Sequence, residues 1–158
     1  MINISRESEI NLINILIDQD IISGKDLVEI KKVSSDGNKS QLDAVFELNL
    51  TDEQKILDLL VHDQSLDVVD LSTIQVTEDL KAVLPSNYIN MNFIAPFKIE
   101  GKVLHIAISD ISKLSLMRNL RTITIMDIEL HAAKVSDISN FVDKLLADGE
   151  KTISDIRQ

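Results

Sequence analysis

Ile94-Ala95-Pro96-Phe97 is an apolar run that is followed by Glu100-Gly101 and then by a second run, Leu104-His105-Ile106-Ala107-Ile108-Ser109-Asp110. Two apolar runs on either side of a turn dipeptide predict a β-hairpin, with strands from Phe93 to Lys98 and from Lys102 to Ile108. The Ser-Asp pair that closes the second run is a typical helix N-cap, so a helix is expected directly after the hairpin.

The chain on both sides of this hairpin predicts a small mixed sheet packed with helices. Val68-Val69 indicates one short strand, and β-branched residues predict two more, from Thr122 to Met126 and from Ile128 to Ala133. A last helix is expected from Val135, with Gly149 as its end. The predicted fold class is therefore α+β, a small α/β domain behind N-terminal helical hairpins.

Residues 1–65 precede this part and show the three- and four-residue apolar spacing of amphipathic helices. Ser23, with Asp26 three residues later, predicts a capped second helix. The run from Ser34 to Asn38 predicts the turn that follows it. Thr51-Asp52-Glu53-Gln54 then predicts the start of a fourth helix.

These helices form two similar pairs. A shift of 29 residues places the apolar positions of the first pair on those of the second, for example Ile13 on Leu42. Repeated helical hairpins share a core by packing one face against the other, so we expect a duplicated unit. The predicted division is a helical subdomain of two related helix pairs, an α/β subdomain and a polar tail or linker, at residues 1–65, 66–148 and 149–158.

The composition argues against several classes of protein. The net charge of −10 leaves no basic stripe for a nucleic-acid backbone and disfavours an anionic membrane surface. Cysteine is absent, so disulfides and thiolate metal sites are excluded. The sequence has no signal-peptide pattern and no apolar run near the ~20 residues that span a bilayer. We therefore expect a soluble, cytoplasmic protein.

The order of these features resembles the N-terminal domain of the ATPases that power type II secretion and type IV pilus assembly. That family shows an apolar-Asp-Leu segment, a Leu-Pro pair, a Pro ahead of the hairpin and an Ala-x-x-Asp-Pro turn. The matching residues are Asp70-Leu71, Leu84-Pro85, Pro96 and Ala107-Ile108-Ser109-Asp110, with Ile111 in place of the last Pro. The resemblance covers about residues 10 to 147.

The helical half fits the same family, which has an Arg-Leu-Gly start and a further Gly before each second helix. Some members bind cyclic di-GMP through these duplicated motifs, because Arg pairs with phosphate and Gly admits the backbone. Here the Arg positions hold Asn11 and Ser40, and the Gly positions hold Ile13, Asp20, Leu42 and Asn49. The resemblance, with these departures, implies that dinucleotide binding is lost or absent.

The resemblance also implies partners. The domain usually precedes a hexameric ATPase in the same polypeptide and docks it onto the cytoplasmic part of an inner-membrane platform protein, which places it at the inner membrane through that partner. Neither Ser23-Gly24-Lys25-Asp26 nor Glu100-Gly101-Lys102 has the order of a phosphate-binding loop. No catalytic residue and no cofactor are predicted, and we expect no ATP hydrolysis by this chain.

The three imidazoles are His62, His105 and His131. No pair of them has ligand spacing in the sequence, and a metal site needs several convergent ligands. We therefore predict structural roles for the histidines and no metal site.

The leading functional hypothesis is a non-catalytic interaction domain. Its candidate partner-binding residues are Ile10, Ile13 and Ile17, which form a longer apolar stripe than a two-helix hairpin hides. The alternative, that this stripe packs on the sheet, stays open because most apolar helix faces belong to a core. A cyclic di-GMP-responsive regulatory domain and a free-standing adaptor are the other two hypotheses.

Overall fold

The computed structural model describes residues 4–157, with side chains described except at 63, 64, 111 and 147–157. Helices make up 60% of the chain and accompany one small mixed sheet, so the fold is α+β, as predicted. The α-helices are α1 (Arg6–Asp18), α2 (Gly24–Gly37), α3 (Gln41–Glu47), α4 (Glu53–Gln64), α5 (Glu78–Ala82), α6 (Ser86–Asn92), α7 (Met117–Thr124) and α8 (Val135–Arg157). Short 3-10 helices span Leu71–Thr73 and Ile111–Leu116.

The sheet has the order β1-β2-β3, with strands Ala95–Glu100, Val103–Ile108 and Asp127–Ala132. β1 and β2 are antiparallel and form the predicted hairpin, whose turn contains Gly101 at a φ of +62°. A φ in this range is costly for residues with a Cβ, which explains glycine at this point of the turn. β2 and β3 are parallel, so the chain crosses over the sheet between them.

The predicted strand at Val68-Val69 is reduced to one isolated bridge. Val68 pairs in parallel with Ala132, and two backbone hydrogen bonds hold this segment beside β3. The Val69 N–H donates to the Ala132 carbonyl at 2.9 Å, and the Ala132 N–H donates to the Asp67 carbonyl at 2.8 Å. The segment therefore covers one edge of the sheet over only a few residues.

The predicted strand from Thr122 to Met126 is wrong, because this region is the end of helix α7 and the turn after it. A parallel β2–β3 pair needs a crossover connection, and here the 3-10 helix Ile111–Leu116 and α7 provide it. Leu120 anchors α7 in the core. This tertiary requirement overrides the local β preference of the β-branched residues.

Two predicted helix ends also differ. Helix α2 continues through the expected turn to Gly37 and ends at Asn38, whose φ is +49°. Helix α8 passes the expected stop at Gly149 and runs to Arg157. Glycine inside a helix lowers its stability by roughly 1 kcal/mol relative to alanine, which is too little to force an end.

One continuous set of buried apolar side chains joins the helical part to the sheet. It includes Leu16 of α1, Val45 of α3, Leu60 of α4, Ile106 of β2 and Phe141 of α8. β2 is buried on both faces, as the central strand of a covered sheet should be. The helical pairs therefore pack into the same core as the sheet.

Candidate interaction surface

The two helical pairs repeat the same backbone turn at the 29-residue spacing. α1 ends at Asp18 and α3 at Glu47, and each is followed by one residue in the left-handed region, Asp20 at +58° and Asn49 at +56°. The Asp20 N–H donates to the Ile17 carbonyl at 3.0 Å, and the matching Asn49 N–H donates to the Phe46 carbonyl at 3.1 Å.

The second helix of each pair begins in the same way. Ser23 caps α2 and forms the predicted capping box with Asp26, with hydrogen bonds of 3.2 and 2.9 Å. Asp52, at the position equivalent to Ser23, caps α4 by accepting the Lys55 N–H at 2.9 Å. Both caps occupy a helix N-terminus whose first N–H groups otherwise lack partners.

The left-handed residues coincide with the glycine positions that the family resemblance assigns. Asp20 and Asn49 stand where the resemblance places the Gly before each second helix. Asn and Asp tolerate this backbone conformation better than other residues with a Cβ, because their short polar side chains bond locally. The turn is therefore kept although the glycines are replaced.

The two pairs differ in how much apolar surface they bury. α4 places Ile56, Leu57 and Leu60 in the core, whereas Ile30 is the fully buried residue of α2. At equivalent positions, Leu57 is 3% exposed and Val28 is 71% exposed. The first pair therefore leaves apolar side chains uncovered where the second pair does not.

The three candidate partner-binding residues on α1 differ in how deeply they are buried. Ile13 lies in the core with 4% exposure, and Ile17 is half-buried against it. Ile10 is 46% exposed. Of the three candidate residues, Ile10 is therefore the most exposed and Ile13 the least.

A buried ammonium group fastens α1 to the rest of the domain. Lys113 follows β2, and its Nζ donates to Ser8 Oγ of α1 at 2.7 Å. Ser8 Oγ in turn donates to the Met91 carbonyl of α6 at 3.2 Å, and Ser5 Oγ bonds the same carbonyl. Burial lowers the pKa of Lys113, and the nearby Asp110 and Glu7 carboxylates oppose that shift.

Electrostatic contacts link the two helical pairs and fix the second pair to α8. Burial raises the pKa of Glu9, although the N–H groups of Gln41 and Leu42 at the start of α3 partly offset this. Glu53 of α4 accepts the Ser136 N–H at 2.6 Å. Burial, Asp70 and Glu53 raise the pKa of Asp137 beside it.

An open cleft of about 450 Å³ lies next to the second left-handed turn. Its walls include Asn49, Glu53 and Asp52 of the second pair, with Lys134 and Ser136 from the other half of the chain. Among the described residues that line the cleft, Asp52 and Glu53 carry carboxylates and Lys134 carries an ammonium group. This balance of charge disfavours a phosphate group, which is recognised through cationic donors.

The histidines are not distributed as the sequence suggested. His105 on β2 and His131 on β3 lie side by side, with Nδ1 of His105 2.9 Å from Nε2 of His131. The spacing in the sequence gives no sign of this pair, because the parallel pairing of β2 and β3 brings together two residues that are 26 positions apart. His62, on α4, stays exposed and apart.

Comparisons with known proteins identify the family of this chain. The model of the MshEN domain family matches residues 64–152, just over half of the chain, beginning at the last residue of α4. No curated protein matches the sequence. A solved structure of MshE with cdg is similar at 23% identity, covering 85% of this chain and 97% of that one, with a TM-score of 0.54.

The N-terminal domain of XpsE is similar in two crystal forms, at 16% identity in each. The matches cover 88% and 87% of this chain and 97% and 94% of the other, with TM-scores of 0.52 and 0.56. Within the described residues, no helix is both long and apolar enough to cross a bilayer. The chain belongs to the MshEN domain family, in agreement with its resemblance to the N-terminal domains of secretion and pilus ATPases.

Proposed function

We propose that this chain is a non-catalytic docking domain of a secretion or pilus assembly ATPase, which holds the motor on the cytoplasmic part of an inner-membrane platform protein. The family and the fold support this placement. The observation that carries the proposal is the unequal burial of the two helical pairs, above all Val28 against Leu57.

The proposed docking surface consists of the exposed apolar side chains of the first pair, Ile10 on α1 and Val28 on α2. Covering the exposed part of such a side chain contributes about 1–2 kcal/mol. Two such contacts are enough to change an affinity by at least about tenfold. Ile17, which is half-buried, adds contact area at the edge, whereas Ile13 supports α1 from within the core.

The charge of the chain narrows the choice of partner. With a net charge of −10, the domain favours a neutral or basic protein surface. Lys25, Lys31 and Lys32 are exposed on α2 around Val28, so this helix is less acidic than the chain as a whole. The docking contact is therefore expected to be apolar at its centre with a mixed-charge rim.

The test is the double substitution Ile10→Ser with Val28→Ser, and its control is Ile125→Ser. Ile125 is 89% exposed at the end of α7, so the control substitution removes a similarly exposed apolar side chain from the other half of the domain. Affinity for the purified cytoplasmic domain of the platform protein is measured by calorimetry. We expect the double variant to bind at least about tenfold more weakly and the control to bind unchanged.

The proposal fails if the wild-type chain does not bind that domain, or if the double variant binds as well as the wild type. Thermal unfolding of each variant is measured alongside. Exposed substitutions of this kind usually change the free energy of unfolding by less than about 0.5 kcal/mol, so a lost affinity reports on the surface rather than on the fold.

A second candidate function is a response to cyclic di-GMP. The observation that favours it is the repeated left-handed turn at the family's glycine positions, together with the similarity to a structure of MshE with cdg. Against it stand Asn11 and Ser40 at the arginine positions and the carboxylate of Asp20. Calorimetry with cyclic di-GMP tests this function. Saturable binding that Asn49→Lys alters would support it, and the absence of any heat of binding would exclude it.

A further inference from the structure

Three ligand-type side chains converge on the sheet, outside the proposed docking surface. In the parallel pairing of β2 with β3, His105 lies opposite Glu129, and His131 lies one pleat further along. The neighbouring residues in both strands, such as Ile106 and Leu130, point into the core. His105, Glu129 and His131 therefore share the opposite face of the sheet.

The distances bring one ligand atom of each residue to a common point. Nδ1 of His105 and Nε2 of His131 share a hydrogen bond at 2.9 Å, and its proton moves to the other nitrogen of its ring when both atoms bind an ion. One Glu129 oxygen is 3.6 Å from the His105 nitrogen, and the other is 3.8 Å from the His131 nitrogen. All three ligand atoms lie within 4.8 Å of one another.

We propose that this cluster binds one divalent transition-metal ion of the Zn²⁺ class, through His105 Nδ1, His131 Nε2 and a carboxylate oxygen of Glu129. Two imidazoles and one carboxylate form a known zinc ligand set, which leaves a fourth position for water or an outside ligand. Metal–nitrogen distances of about 2.0–2.1 Å at tetrahedral angles separate two nitrogens by about 3.3 Å. The two rings therefore need to part by only about 0.4 Å.

The other nitrogen of His105 supplies a second, independent observation. Nε2 of this buried ring makes no hydrogen bond of good geometry, and its nearest carboxylate oxygen, Glu100 Oε1, lies 3.4 Å away. When Nδ1 holds the metal, the ring proton must sit on Nε2 and point toward that carboxylate. A carboxylate behind a metal-bound histidine is the usual arrangement that orients the ring.

The remaining surroundings suit an ion held between strands. Phe97 packs against both rings, with centroids 6.1 Å from His105 and 5.1 Å from His131, and shields them on one side. Lys98 bonds Glu100 at 3.3 Å and balances one of the two nearby carboxylates. The bound ion would join the two strands on either side of the α7 crossover and stabilise the sheet.

The test is titration of the full chain with Zn²⁺ by calorimetry, and with Co²⁺ followed by its visible absorption. We expect one ion per chain and the strong bands of a four-coordinate Co²⁺ site. His131→Gln should weaken Zn²⁺ binding at least about 100-fold, and Glu100→Gln about tenfold, as for other residues that orient ligands. His62→Gln, which changes the exposed imidazole of α4, is the matched control and should bind as the wild type does.

Far-UV circular dichroism separates lost binding from lost folding, and Glu129→Gln gives a second ligand variant at an exposed position. It should weaken Zn²⁺ binding at least about tenfold. The assignment is overturned if the chain shows no saturable Zn²⁺ binding. It is equally overturned if His131→Gln and Glu129→Gln, still folded, bind Zn²⁺ as well as the wild type, or if His62→Gln weakens binding as much as they do.

Discussion

The two helical pairs have the same backbone conformation at their turns but differ in how deeply the side chains of their second helices are buried. Both turn through a left-handed residue, at Asp20 and Asn49, and both start the next helix with a side-chain cap. Yet α4 is buried along Leu57 and Leu60, whereas the equivalent residues of α2 are the exposed Val28 and Lys31. The two pairs can thus keep the same turn geometry while α4 buries side chains at positions that α2 leaves exposed.

Truncating the equivalent apolar side chains, Leu57 and Val28, should destabilise the chain strongly in one pair and hardly at all in the other. Leu57→Ala should lower the free energy of unfolding by about 2–5 kcal/mol, because it leaves a cavity in the core. Val28→Ala should change it by less than about 0.5 kcal/mol, since that side chain is 71% exposed. Urea unfolding midpoints measure both, and similar losses in the two variants would remove the contrast between the pairs.

Removing the N-cap of each second helix tests whether the matching caps of the two pairs contribute equally to the free energy of unfolding. Ser23→Ala and Asp52→Ala each remove the side-chain acceptor at the start of a second helix. Each should cost about 1 kcal/mol in chemical denaturation. A loss in Ser23→Ala but not in Asp52→Ala would mean that packing alone holds the start of α4.

Substitutions at the left-handed turns should change the stability less, with alanine lowering it and glycine keeping or slightly raising it. Asp20→Ala and Asn49→Ala should each destabilise the chain by about 0.5–1 kcal/mol, because alanine adopts a positive φ poorly. The glycine variants at the same sites should match or slightly exceed the wild type in thermal unfolding, since glycine removes this strain at an entropic cost. Glycine variants as unstable as the alanine variants would refute the strain at these turns.

Glu9, which joins the first pair to the start of α3, should make a small pH-dependent contribution to stability. Its pKa in the folded chain is raised above 4.5, mainly by burial, so its favourable contribution is present below pH 4.5 and is lost as the pH rises through the folded-state pKa. The free energy of unfolding of Glu9→Gln, relative to the wild type, should therefore increase as the pH rises through this pKa. Unfolding at pH 4 and pH 7 measures the change, with the exposed Glu29→Gln of α2 as control; a constant difference would contradict it.

The sequence predicted features that depend on neighbouring residues. The hairpin around Gly101, the capping box at Ser23 and the cap at Asp110 are all present, because each rests on a few adjacent residues. The 29-residue spacing of the helical pairs is also a local pattern, repeated. These features needed no knowledge of what packs against them.

Features that depend on distant partners were missed. The helix at Thr122 follows from the parallel pairing of β2 and β3, and the meeting of His105 with His131 follows from the same pairing. The depth of Ile13 and the exposure of Ile10 depend on how α1 lies on the rest of the domain. Apolar spacing could place both residues on one stripe but could not say which part of it was covered.

The most direct test of the docking account is hydrogen exchange of the full chain with and without the purified cytoplasmic domain of the platform protein. We expect slower exchange in α1 and α2 on binding, with α3, α4 and the sheet unchanged. Protection confined to α3, α4 or the sheet, or no protection at saturating partner, would contradict it.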